Sequence, residues 1–548
     1  MRATLVLFAA ALAVRLLAWA TSPERAAPFE AIYQGDAPYW QAAARGAGGL
    51  ELVLPFRPPA MPWLAALTWN GDPATAWWPR LLLVVGGAAI APLVFAIVRR
   101  MGAPRVAWIA GAICALSGSL QALGTGIHGE LPYVLLFLLT MPDYVRLSRQ
   151  PAPLVAARWS GLHALACLVR ADHLLCWLVS LAWLLRRPSA QRLRDAAIAV
   201  GAFAAVLAPW QLHAMAVTAD YNARGADAAP PAAPPQGSLP WDQEAIAAVV
   251  AMPAFARAAT FGFVDATVRA RGGTRVAGRD LAVLDEAYGA RPEPLPMPLI
   301  ALYGPLNFFL ANSAEATAGF SRRALDRRPP LAGGLSRYPP GLLDVLPRDG
   351  DLNLSYPPHL QATVHGYRLG WRWIASNPLA ALQRVGWRLA QFWAGAATGV
   401  GACNLPLGRS GIREPVDLTV ANGGVAVAWR CGCLLLAALG WWRLRALPGS
   451  AGFVLFGAAL AAVDAAFFGY ARLGAAGVPA FAVLWAAALD AMFARASARS
   501  QRRVLIALGI AVVVAEVTSA MLRTPPLVDG VAFSQSDPTS HRRVVIQY

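Results

Sequence analysis

Clusters of arginine recur along this chain, and two long apolar stretches separate each cluster from the next. The first four clusters are Arg99, Arg100 and Arg105; Arg146, Arg149 and Arg158; Arg186, Arg187, Arg192 and Arg194; and Arg443 and Arg445. Arg495, Arg499, Arg502 and Arg503 form the fifth. Stretches of roughly membrane-spanning length lie at 1–20, 76–98, 106–123, 131–146, 159–169, 172–185 and 196–216, and again at 423–441, 450–468, 474–493 and 504–521. With the N-terminus inside, all five clusters fall on the cytoplasmic face, as the positive-inside rule requires. That parity predicts about eleven transmembrane helices.

Composition agrees. Only 14% of the 548 residues are charged and 57% are hydrophobic, against about 25% charged in a typical soluble domain. A soluble fold would need a very large dry core to hide that surface, whereas lipid accepts it. The net charge of +17 comes entirely from arginine, since the sequence holds no lysine. These arginines are spread between apolar spans, which argues against a nucleic-acid partner and for contact with anionic headgroups or phosphate. The six cysteines give no disulfide framework and read as small packing residues. Arg15 interrupts the first span, so 1–20 reads as an uncleaved anchor, with Arg15 reaching the interface.

The same parity divides the chain. An N-terminal membrane module (1–216) contains a first outer loop at 21–75. A large outer segment follows at 217–422, then C-terminal membrane helices at 423–521 and an outer tail at 522–548. Within the outer segment, 223–240 is rich in Ala and Pro and reads as a linker or lid. The stretch 376–400 reads as an amphipathic helix at the interface, with Arg384 and Arg388 on one flank. The spans 159–169 and 172–185 are short for two crossings, so their tip, Arg170-Ala171-Asp172, is expected in a polar recess.

Candidate chemistry concentrates in the first outer loop. A lone carboxylate, Asp36, lies beside Tyr39 and Trp40, and Arg57 follows in an Arg-Pro-Pro run. A carboxylate at a membrane surface can take a proton from a hydroxyl, and an arginine fork pairs well with phosphate. The competing reading of Asp36 is a cap for a helix starting at Ala37. Glu130 opens a predicted helix, where an acidic side chain is also favoured by the dipole. An aromatic patch, Tyr303 to Phe309, suits either an acceptor groove or an interface anchor. No clustered His, Asp and Glu set marks a metal site. Asp464 and Asp490, inside late spans, call for a helix-borne arginine partner.

The runs Gly35-Asp36-Ala37-Pro38-Tyr39-Trp40-Gln41-Ala42-Ala43 and Arg57-Pro58-Pro59-Ala60-Met61-Pro62-Trp63-Leu64 resemble the first outer loop of GT-C superfamily glycosyltransferases of family 39 type. That group includes protein O-mannosyltransferases and lipid A aminoarabinose transferases. Glu130-Leu131-Pro132, Leu168-Val169-Arg170, Pro209-Trp210, and Tyr470-Ala471-Arg472 with Pro479 resemble later motifs of the family, in the same order. Ala171 and Leu473 stand where the family usually has proline and tyrosine. The resemblance implies a GT-C-type all-α membrane bundle and transfer, with inversion, of a sugar from a polyprenyl-phosphate carrier to an extracytoplasmic lipid, glycan or protein acceptor. It implies Asp36 as general base; Arg57, Arg472 and Arg170 as donor-phosphate ligands; and Glu130, Tyr39 and Tyr303 in substrate binding. Family members differ in metal dependence, which leaves a divalent metal open. The implied location is a bacterial plasma membrane with the site facing outward. Two other classes share the hydropathy. A transporter or flippase of a lipid-linked substrate would carry inverted repeats with broken helices, and none is visible. A non-catalytic scaffold would tolerate loss of Asp36.

Overall fold

The protein is an all-α polytopic membrane protein. Its computed structural model describes residues 2–20, 37–46, 54–72, 75, 77–125, 127–225, 231–288, 291–316, 321–325, 352–397, 424–469 and 471–494. Asp36, Cys403, Tyr470 and the expected span at 504–521 lie outside these residues.

The N-terminal module contains α1 (Arg2–Ala20), α2 (Ala37–Ala44), α3 (Ala60–Thr68), α4 (Trp77–Arg100), α5 (Pro104–Leu116), α6 (Gly118–Thr125), α7 (Glu130–Arg149), α8 (Pro153–Val169), α9 (His173–Leu185) and α10 (Ala190–Arg224). The segment expected outside, 217–422, contributes α11 (Gln243–Val250), α12 (Ala254–Ala270), α13 (Ala282–Tyr288), α14 (Tyr303–Ala311), α15 (Pro357–Ser376) and α16 (Pro378–Ala396). The late membrane helices are α17 (Gly424–Leu444), α18 (Ser450–Phe467) and α19 (Ala471–Phe493). Helices thus occupy ten of the eleven expected spans. Five of them, α1, α4, α10, α18 and α19, are long and apolar enough to cross a membrane by length and composition. The expected span at 106–123 is bent in two at Ser117, whose backbone is extended (φ −62°, ψ 122°).

The core shows why the bundle needs lipid. One continuous apolar cluster runs through α1, α4 to α10 and α17 to α19. Large residues left on the outside are themselves apolar, including Leu5, Leu154, Leu212 and Leu435. Such a surface is stable against hydrocarbon and costly against water. Smaller clusters form the outer segment, one built on Phe261, Phe263 and Tyr356, another on Phe56, Tyr221 and Leu302.

Two expectations are corrected. Arg15 does not reach the interface: its side chain is fully buried. Its Nη1 donates to the carbonyls of Ala11 (3.2 Å) and Ala115 (3.1 Å), and its Nη2 to that of Cys114 (3.1 Å). α5 ends at Leu116, so the Cys114 and Ala115 carbonyls belong to its last turn and lack helical partners, and a buried cation is well placed to satisfy them. Arg388 does not flank an interfacial helix either. It is buried and donates to the carbonyls of Ala465 (2.8 Å) and Ala311 and to Asn312 Oδ1 (3.3 Å). Asp464, the neighbour of Ala465, lies close enough for its charge to act on Arg388, and it accepts from the Gly469 amide (3.1 Å).

Close helix crossings use glycine. A Cβ on Gly395 of α16 would lie 1.8 Å from the Ala471 carbonyl oxygen, and one on Gly474 of α19 would lie 1.7 Å from that of Phe392. Backbones touch there, so the start of α19 is fixed against α16.

Candidate functional site

Glu130 sits at the first turn of α7, where the helix dipole favours a carboxylate. It is almost fully buried, and burying a lone charge is expensive unless cations meet it. Two do. Arg170 Nη1 lies 2.7 Å from Glu130 Oε1, and Arg472 Nε lies 3.1 Å from the same oxygen. Arg170 comes from the tip between α8 and α9, and Arg472 from the first turn of α19. One carboxylate therefore joins residues far apart in sequence, and three sequence-singled residues, Glu130, Arg170 and Arg472, meet.

Asp172 belongs to the same group, although the sequence reading placed it only in the hairpin tip. Arg170 Nε donates to its Oδ1 (3.1 Å) and Nη2 to its Oδ2 (2.8 Å). This is the bidentate fork that fixes a guanidinium in plane. Below it, the Arg170 guanidinium lies 5.7 Å from the centre of the Tyr133 ring, within reach of a cation–π contact. The spacing Arg170-x-Asp172 was legible; that the pair would chelate rather than point apart depends on the turn.

A second group gathers around Arg57. Its guanidinium carbon lies 4.5 Å from the Tyr39 ring centre, 5.9 Å from Trp40 and 5.3 Å from Tyr303. Three aromatic faces thus hold one half-buried cation, a stronger environment than any single cation–π pair. The Leu302 amide donates to the Pro55 carbonyl (2.8 Å), and the Phe56 and Tyr303 rings meet edge to face. These contacts carry Tyr303 to the first loop. α14 can approach because Gly366 of α15 has no side chain: a Cβ there would sit 2.0 Å from the Pro305 carbonyl oxygen. The rest of the aromatic patch turns inward, with Phe308 buried against Trp371 and Phe467, so it serves as packing and not as an exposed anchor.

Arg322 was missed by sequence reasoning. Its Nη2 donates to the Tyr303 hydroxyl (3.0 Å), so Tyr303 meets Arg57 on its face and Arg322 on its edge. A one-turn 3-10 helix (Arg322–Leu325) carries it, pinned by buried Leu325, whose carbonyl is 2.7 Å from His359 Nε2. No pattern of period or spacing marks such a turn.

The two groups adjoin. Met61, four residues after Arg57, packs against Gly129: a Cβ there would lie 3.3 Å from Met61 Cγ. Glu130 is the next residue. Trp63 meets Trp210 edge to face, and Trp210 Nε1 donates to the Ile300 carbonyl (2.8 Å), tying the first loop to α10 and the outer segment. Chemically, Glu130, Asp172, Arg170 and Arg472 sum to zero charge, while Arg57 and Arg322 add two positive charges beside them. Such a site suits an anionic ligand with a flat, hydroxyl-bearing portion to lie on aromatic rings.

Residues 49–169 match the family model described as dolichyl-phosphate-mannose-protein mannosyltransferase. The match takes in Arg57 and Glu130 and ends one residue before Arg170. No curated protein and no solved structure matches the chain.

Proposed function

We propose, supported by the match of residues 49–169 to a mannosyltransferase family model, that the protein transfers a sugar from a polyprenyl-phosphate carrier to an extracytoplasmic lipid, glycan or protein acceptor, with inversion at the anomeric carbon. Asp36, just ahead of α2, acts as general base. It takes the proton of the acceptor hydroxyl, the acceptor oxygen forms the bond to the anomeric carbon, and the bond from that carbon to the phosphate oxygen breaks. The donor is a phosphodiester with one negative charge, and the departing monoester gains a second. Stabilising that growing charge is the main electrostatic task.

The observation that carries this reading is the arrangement of cations: Arg57 on its aromatic shelf next to a neutral Glu130–Arg170–Arg472–Asp172 group. Arg57 and Arg472 contact the phosphate. Arg170, its fork engaged by two carboxylates, supplies field and holds Glu130. Tyr39 and Tyr303 support Arg57 and the sugar, and Glu130 orders the two arginines. The exposed apolar belt lets the isoprenoid tail enter from the bilayer, in the plasma membrane of a bacterium, with the site outward.

The test is turnover of purified protein with labelled polyprenyl-phosphate sugars. Asp36→Asn is expected to lower kcat by a factor of about 10²–10⁴, the usual contribution of a general base. Arg57→Ala is expected to lose on the order of a hundredfold in kcat/KM. Unchanged turnover in Asp36→Asn removes the proposed base.

A further inference from the structure

Beneath the Arg170–Asp172 tip, three side chains turn metal-binding atoms toward one another: His163 of α8, and His173 and Cys176 of α9. Their ligand atoms all lie within 4.8 Å of one another, and all three residues are buried. His173 and Cys176 are three apart on one helix, so they share a face, and His163 meets them from the antiparallel neighbour. We propose that His163 Nδ1, His173 Nε2 and Cys176 Sγ form a three-coordinate site for a soft monovalent cation of the copper(I) type.

Geometry supports the donor set. His163 Nδ1 and His173 Nε2 face each other at 2.7 Å. Metal–nitrogen bonds of about 2.0–2.1 Å, spread trigonally, need those nitrogens about 3.5 Å apart. Binding therefore requires the two imidazoles to turn apart. The second nitrogen of His173 is already held: its Nδ1 lies 3.0 Å from the Tyr133 hydroxyl. A histidine ligand is normally oriented by such a partner on its other nitrogen. Here the Tyr133 oxygen accepts from Nδ1–H, which leaves the Nε2 lone pair for the metal. Trp159 packs edge to face against His163, closing the far side.

Charge selects the ion. Binding displaces the Cys176 thiol proton, which leaves to bulk water, so thiolate, two neutral imidazoles and a monovalent cation sum to zero. A divalent ion would leave a net positive charge inside an apolar bundle, which is costly. Thiolate and imidazole also favour copper(I) over hard cations. The Asp172 side chain adjoins His173 in sequence but is held by Arg170, so it does not compete. The bound ion would brace the α8–α9 hairpin that presents Arg170.

The test uses the purified full-length protein in nanodiscs, titrated with copper(I) against a chromophoric chelator, with metal content read by mass spectrometry and sulfur–copper bonding by X-ray absorption. Wild type is expected to retain one equivalent of copper(I), and of silver(I) as a redox-inert probe, with a sulfur ligand in the spectrum. Cys176→Ser and His163→Gln are each expected to weaken binding at least tenfold while keeping the wild-type elution profile. Failure of wild type to bind, equal binding by Cys176→Ser, or preference for zinc(II) overturns the proposal. These readouts need no substrate, so they stand apart from the transfer assay.

Discussion

Glu130 shows what a single buried carboxylate does when two cations depend on it. Replacing it with glutamine leaves Arg170 and Arg472 close together with only Asp172 as counter-charge. Breaking one partner of a buried pair typically costs about 3–5 kcal/mol. Glu130→Gln is therefore expected to lower thermal stability measurably, and Glu130→Gln with Arg170→Gln to recover part of the loss. A double-mutant cycle on the melting of the detergent-solubilised protein reads the coupling; simple additivity would mean that the two side chains do not act as a unit. At this scale the sequence was informative about which residue types matter. Glu130, Arg57, Arg170, Tyr39 and Tyr303 stood out as charges and aromatics beside apolar spans, whereas Arg472, and the expected role of each, came from the family resemblance. Their pairing was not legible. That Glu130 bridges Arg170 and Arg472 depends on how α7, the α8–α9 tip and α19 pack, and nothing local encodes it.

Among the helices, the crossing of α16 and α19 has the tightest tolerance. Gly395 and Gly474 let the two backbones touch, and the Ser119 hydroxyl adds a bond to the Gly395 carbonyl (2.6 Å). Arg472 is the second residue of α19, one half-turn from Gly474. Gly474→Ala places a methyl group 1.7 Å from the Phe392 carbonyl oxygen, so the helices must part. Overpacking of this kind costs typically about 1–3 kcal/mol, and here it also draws Arg472 away from Glu130. The expected outcome is a lower melting temperature together with a weaker donor KM. A stability loss with unchanged KM would show that α19 shifts without moving Arg472. Hydropathy predicted α19 as a helix, but not this role: a glycine in an apolar span gives no sign of which neighbour it admits. The same limit explains Arg388, expected on one flank of an interfacial helix because 376–400 carries apolar residues at helical spacing. Tertiary carbonyls from 311 and 465 outweighed that local pattern.

Across the molecule, the outer segment and the membrane bundle respond to different variables. The bundle is held by apolar burial and buried ion pairs. The outer segment has a titratable support in His359, which burial pushes from 6.5 down to about 4. The unfolded segment binds this proton below about pH 6.5, whereas the folded one refuses it until about pH 4. Folding therefore gains its full contribution from neutral His359 above pH 6.5. It loses up to about 3 kcal/mol as the pH falls from 6.5 to 4. Because His359 holds the turn bearing Arg322, the protection of amides near 321–325, taken relative to the intrinsic exchange rate at each pH, is expected to fall across that window in wild type and to stay constant in His359→Gln. Equal acid response in both would move the sensitivity to another group.

The burial of Arg15 has a consequence for the order of biosynthesis. The first helix emerges from the ribosome carrying a cation whose carbonyl partners, at 114 and 115, have not yet been translated. Until they arrive, the guanidinium must reach water or headgroups, at a cost of about 2.5–3.5 kcal/mol if it is stranded at mid-membrane. α1 thus settles only after the residues up to 115 have followed it.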